Sequence, residues 1–181
     1  MSTTSNLPAL PANDHISSKA VLSVHSRGFY DTAPVVTSYA HIMAQLIRLG
    51  EEIGEVMSAR HKRAAREAQA VEVADVYIVV CQIAWLTGLP GAMQLGRMAM
   101  PGTTLSIEYG ELCRALRKWD GSLSNATGVH YALMRLAGLC YIMVDQCGQR
   151  LETLVDGKLA QDELRGYQHG GVQDGKENQG H

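Results

Sequence analysis

The chain is poor in aromatic residues and nearly neutral. Aromatic residues make up 6% of it, with a single Phe. Sixteen basic residues face 18 acidic ones, for a formal net charge of −2. That balance excludes the strongly basic surface of a nucleic-acid-binding domain. Four cysteines, Cys81, Cys113, Cys140 and Cys147, include no Cys-x-x-Cys pair. Each falls in an apolar segment, so they read as small core residues of a reducing compartment. The first 20 residues lack a basic start followed by an apolar run, and a secretory leader is not expected. The longest uncharged stretch, 76–96, breaks at Thr87-Gly88-Leu89-Pro90-Gly91. About 14 strongly apolar residues remain, short of the roughly 20 that a membrane span needs. The stretch reads as a buried helix followed by a loop. No alternating strand pattern, Gly-x-x-x-x-Gly-Lys phosphate loop or Gly-x-Ser-x-Gly elbow is present. The seven histidines are scattered and read as surface or internally bonded residues.

What is present is helical period. The chain has 181 residues, 46% of them hydrophobic, enough for one folded domain. Residues 1–35 carry Pro8, Pro11 and Pro34 without a sustained period and read as an arm. Pro34 with Thr37-Ser38 resembles a helix start. Ile42, Leu46, Leu49, Ile53 and Val56 then recur at steps of four and three, predicting a helix over about 39–66. A second helix is expected over 67–86 and a Gly/Pro/Met-rich loop over 88–104. A third helix, capped by Ser106, should stop at Asp120-Gly121. A long fourth helix should run from Thr127 to about Val155, be interrupted at Gly157, and resume over 158–165. The expected organisation is an arm (1–35), a helical domain (36–167) and a disordered tail (168–181). The fold class is all-α, a bundle of four to five helices. A faint internal echo links Tyr77-Ile78-Val79-Val80-Cys81-Gln82 to Tyr141-Ile142-Met143-Val144-Asp145-Gln146, and Gly50-Glu51 to Gly110-Glu111.

Five acids carry most of the chemistry. Glu51-Glu52-x-x-Glu55 lies on the first helix and Glu72-x-x-Asp75 on the second, with 16 residues between Glu55 and Glu72. Positions three or four apart share a helix face, so each set forms its own acidic patch. The spacing allows a turn and an antiparallel return, which lets the two patches face each other. Bare carboxylates so arranged repel. A hard divalent cation such as Mg²⁺ or Mn²⁺, which prefers oxygen ligands, removes that repulsion. The first helix can also present its acids as an ordinary solvated face. On the second helix, 73–86 is apolar nearly all round and Asp75 is its only charge. A charge entering a buried helix needs a partner. A metal ion or a salt bridge would both serve. Ferritin-like di-iron chemistry is disfavoured, because none of the acids begins a Glu-x-x-His motif.

The pattern Glu-Glu-x-x-Glu, 16 residues, Glu-x-x-Asp resembles the signature of the all-α nucleoside triphosphate pyrophosphohydrolases, which include the MazG-like proteins. The resemblance covers about 42–86. A second stretch is similar to the Lys-x-x-x-Asn-x-x-Arg of many MazG-like chains. There Lys158 and Arg165 match the basic positions and Asp162 stands in place of Asn; a basic helix end would look the same. The resemblance implies a MazG-like bundle, with helix pairs packed across a homodimer or homotetramer. It implies hydrolysis of a (d)NTP to a (d)NMP and pyrophosphate with Mg²⁺ or Mn²⁺. Glu52, Glu55, Glu72 and Asp75 would be metal ligands, and Glu51 would support the cluster or orient water. Lys158 and Arg165 would neutralise phosphate. The longer arm, the loop and the extra helix are similar to phage-type members, including the MazZ group, which favours dGTP or GTP as substrate. dUTP and dCTP are the alternatives, and so is a non-catalytic nucleotide-binding oligomer. Phe29, Tyr30, Trp85 and Trp119 can each stack on a base or simply pack in the core. The setting implied is the cytoplasm of a bacterium or a phage-infected host, with neither membrane nor nucleic acid as partner.

Overall fold

A computed structural model describes residues 15–26, 38–89 and 102–164. All regular structure among these residues is helical. In chain order the elements are α1 (Ile16–Ser26), α2 (Ser38–His61), α3 (Arg66–Leu86), α4 (Leu105–Lys118), a 3-10 turn (Leu123–Asn125), α5 (Thr127–Gln146) and α6 (Leu151–Leu164). The all-α expectation holds. The tail from 168, the loop residues 90–101, Arg165, Phe29 and Tyr30 lie outside the described residues.

α3 is the centre of the bundle. Its 73–74 and 76–86 segments are buried on every side, against α2, α5, α1 and α6. α2 buries the stripe Ile42, Leu46, Leu49, Ile53 and Val56, the period that predicted it. The four-residue connection between α2 and α3 makes them an antiparallel hairpin. Arg63 takes a left-handed φ of 53° there, and Gln69 Nε2 donates to the Ala64 carbonyl at 2.7 Å. α3 and α5 are each long and apolar enough to cross a membrane, with mean hydropathies of 1.4 and 1.2. Here those stretches are 78% and 56% buried within the protein. The two echo segments lie side by side, with the Tyr77 and Tyr141 rings edge to face at 5.7 Å.

Three details differ from the sequence reading. Part of the expected arm, Ile16–Ser26, is a helix that buries Ile16, Ala20, Val21 and Val24 against α3 and α6. Its serines hid the period: Ser17, Ser18 and Ser23 are buried as well. The third helix is capped by Thr104, whose Oγ1 accepts from Ile107 N at 3.3 Å, rather than by Ser106. The long fourth helix is two helices. α5 ends before Gly148, which takes φ +74° and donates to the Asp145 carbonyl, while Gln149 N reaches back to the Val144 carbonyl. A left-handed glycine with such reach-back bonds is a standard helix stop. Gly157, expected to interrupt, sits inside α6 on its exposed side.

Candidate functional site

The α2–α3 hairpin brings the two acidic patches together. Glu52 and Asp75, from opposite helices, lie close enough for the Asp75 charge to disfavour ionisation of Glu52, and Glu55 adds to that push. Glu72 feels Asp75 and Glu55, and its carboxyl is within hydrogen-bonding reach of Glu55. Four of the five singled-out acids therefore form one group. Glu51 does not join it: it is exposed, and no hydrogen bond or ion pair ties it to the other four among the described residues.

Burial and repulsion act in the same direction. Burial is the main force holding the Glu52 carboxyl above the usual carboxylate range, with the Asp75 charge adding to it. Glu72 is raised by burial, then by Asp75 and Glu55. Asp75 is raised by burial even though Lys158 and Arg48 both favour its charge. The carboxylates are thus under-neutralised, which is the condition a hard cation relieves.

Two cations already reach into the group. Lys158, on α6, places Nζ 2.7 Å from Asp75 Oδ2. Arg48, one turn before Glu52 on α2, donates from Nε to Glu52 Oε1 at 3.3 Å. The salt bridge left open for Asp75 is therefore present, and its partner is the lysine matched to the phosphate-binding position. Asp162, one turn on from Lys158, adds a further negative charge felt by Asp75. Arg48 was missed in the sequence. Its one signal, an Arg four residues before a Glu, is common on exposed helices. No group of three or more His, Cys, Asp and Glu side chains among the described residues is gathered tightly enough to hold one metal ion as it stands.

The donor chemistry nonetheless suits Mg²⁺ or Mn²⁺. Every candidate ligand is a carboxylate oxygen, on two adjacent rigid helices, with histidine and thiolate absent from the group. Of the candidate stacking residues, Trp85 is buried in the core, meeting the His25 ring edge-on. Trp119 is half-buried and donates to the Ser122 carbonyl at 2.7 Å. Both act as packing residues here. All four cysteines are free; Cys81 and Cys140 are buried, Cys113 and Cys147 half-buried.

Comparison with protein-family models, curated proteins and solved structures finds no match for this chain.

Proposed function

We propose that this protein is a metal-dependent nucleoside triphosphate pyrophosphohydrolase, converting a (d)NTP and water to a (d)NMP and pyrophosphate. The observation that carries the reading is the meeting of Glu52, Glu55, Glu72 and Asp75 across the α2–α3 hairpin, with too little positive charge to balance them. Those four carboxylates would hold Mg²⁺ or Mn²⁺. Such an ion, when bound, neutralises polyphosphate charge and acidifies water. Lys158 reaches the same group from α6 and would face the phosphate chain; Arg165, outside the described residues, is a second phosphate-neutralising candidate by resemblance alone. Glu51, solvent-facing and one residue from Glu52, would accept a proton from the attacking water or orient it through the solvent layer. The longer arm, the loop after the second helix and the extra helix lean the choice of base towards guanine, by resemblance alone, with uracil and cytosine as the other candidates. A MazG-like bundle assembling as a homodimer or homotetramer belongs to the same reading.

The test is a screen of the eight standard NTPs and dNTPs with Mg²⁺ or Mn²⁺, resolved by anion-exchange chromatography. Monophosphate and pyrophosphate should appear in equal amounts, with no diphosphate accumulating. Release of orthophosphate with diphosphate would refute the proposed bond, and absence of turnover on all eight would refute the activity.

A further inference from the structure

We propose that Lys158 and Arg48 are built-in counter-cations of this carboxylate group, which a divalent ion displaces and a triphosphate chain then recaptures. The inference rests on the proposed pyrophosphohydrolase function and deepens it.

The geometry is specific to the two deepest acids. The side chains of Asp75 and Glu52 are only 15% and 14% exposed, and these are the two that hold a cation, through Lys158 at 2.7 Å and Arg48 at 3.3 Å. Glu55, exposed, is in no ion pair among the described residues. The cations come from separate elements, α2 and α6, and converge on facing acids. A divalent ion that takes these oxygens meets an ammonium and a guanidinium a few ångströms away. Like charges at that distance in a partly buried site repel strongly. The two cations must then give way. Lysine does so easily, because its four-carbon stem lets Nζ swing while α6 stays in place. Once displaced, both remain within a side-chain length of the ion. A polyphosphate arriving there offers them new oxygens: a point charge suits Lys158, and a planar fork suits Arg48, whose bond to Glu52 engages only one of five N–H donors.

The Glu108–Arg135 pair shows what a fixed ion pair looks like in the same protein. Glu108 is 4% exposed, receives Arg135 Nε at 2.7 Å on one oxygen and Thr103 Oγ1 at 2.7 Å on the other. Both oxygens are engaged. Asp75 instead has one oxygen on Lys158 and stands within electrostatic reach of the acids Glu52, Glu72 and Asp162.

The experiment uses the full chain and two probes, Mn²⁺ alone and Mn²⁺ with inorganic tripolyphosphate, each followed by calorimetric titration. Lys158→Gln and Arg48→Gln should each bind Mn²⁺ alone roughly two- to fivefold more tightly than wild type, the scale of a partly exposed ion pair removed from competition. Each should bind Mn²⁺-tripolyphosphate about tenfold more weakly, the scale of one charge-assisted contact. Lys158→Arg keeps the charge and should stay near wild type for Mn²⁺. Lys19→Gln removes a cation that binds Asp156 on the same α6 at 3.1 Å, and should change neither affinity. The opposite signs of the two effects are the diagnostic: a lysine that only holds α6 in place would weaken both. Unchanged or weaker Mn²⁺ binding in Lys158→Gln overturns the exchange, as does an equal gain in Lys19→Gln. Arg48→Gln carries the same expectation should Lys158→Gln fail to fold. Wild-type protein that binds no Mn²⁺ overturns the metal reading itself, whereas binding that these variants leave untouched overturns only the exchange.

Discussion

Asp75→Asn keeps the shape of the side chain and removes one negative charge from the centre of the acidic group. In EDTA at neutral pH two effects oppose each other. Lys158 loses its 2.7 Å partner, although it also acts on Glu72 and is not left bare. Against that, a half-buried charge and its repulsion of Glu52 and Glu72 disappear. The Asp75 carboxyl lies above its ordinary range despite Lys158 and Arg48, so its charge is a net cost in the metal-free fold. The mutant should therefore melt at the wild-type temperature or slightly above. A gain of about 1 kcal/mol would move the melt by about 2–4 °C for a chain of this size. Metal reverses the order. At a hundredfold excess over Kd, a ligand stabilises by about 2.7 kcal/mol. If losing one ligand weakens Kd about a hundredfold, the mutant retains only about 0.4 kcal/mol at the same concentration. Circular-dichroism melts of both proteins, in EDTA and in Mn²⁺, read all four states, with turnover measured alongside. A mutant that melts ten degrees or more below wild type in EDTA would show a structural ion pair, worth about 3–5 kcal/mol, and no more. A mutant that keeps the full Mn²⁺ gain would refute Asp75 as a ligand.

Acid should favour wild type over that mutant. A raised carboxyl contributes stability that is full below its unfolded value, 3.8 for Asp75, and is lost as pH rises through the folded value. In EDTA, lowering the pH from 7 towards 4.5 should raise wild-type melting relative to Asp75→Asn; a widening deficit would contradict the sign. Glu108→Gln should cost about 2–3 kcal/mol in urea unfolding, since Glu108 is buried and Arg135 is only partly wet. A loss under about 0.5 kcal/mol would mean that the pair is idle. Gly157→Ala, where an added Cβ meets nothing within 4 Å, should stabilise α6 by about 0.5–1 kcal/mol. Gly50→Ala should forfeit that gain, because its Cβ would stand 2.9 Å from the Tyr109 hydroxyl and disturb the bond to the Leu46 carbonyl. Equal stabilisation by both substitutions would show that α4 yields freely.

The parts legible in the sequence were those with a clean period. α2 announces itself through Ile42, Leu46, Leu49, Ile53 and Val56, and the same period sets where its acids lie. α3 is legible as a buried helix because Asp75 is the only charge in a long apolar run. The meeting of the two patches followed from hairpin geometry alone. α1 was illegible because three of its buried positions are serines. The α5–α6 break was assigned to the wrong glycine, since Gly148 and Gly157 look alike until backbone angles distinguish them. Arg48 and the Asp75–Lys158 bond were beyond the sequence for another reason. A long-range contact over 83 positions (75 to 158) leaves no local pattern.

α1 and α6 come from opposite ends of the described chain yet pack on each other and on α3, with Lys19 reaching Asp156 and Gln82 bonding the Ala20 carbonyl. The acidic hairpin forms from neighbouring segments, whereas its lysine comes from the last helix. Loop closure over such distances is slow compared with hairpin formation. The hairpin, with its Arg48–Glu52 pair, should therefore form before α6 docks, and until then Asp75 lacks its Lys158 partner. If the proposed metal site is real, Mg²⁺ added during refolding should speed the formation of the hairpin relative to EDTA.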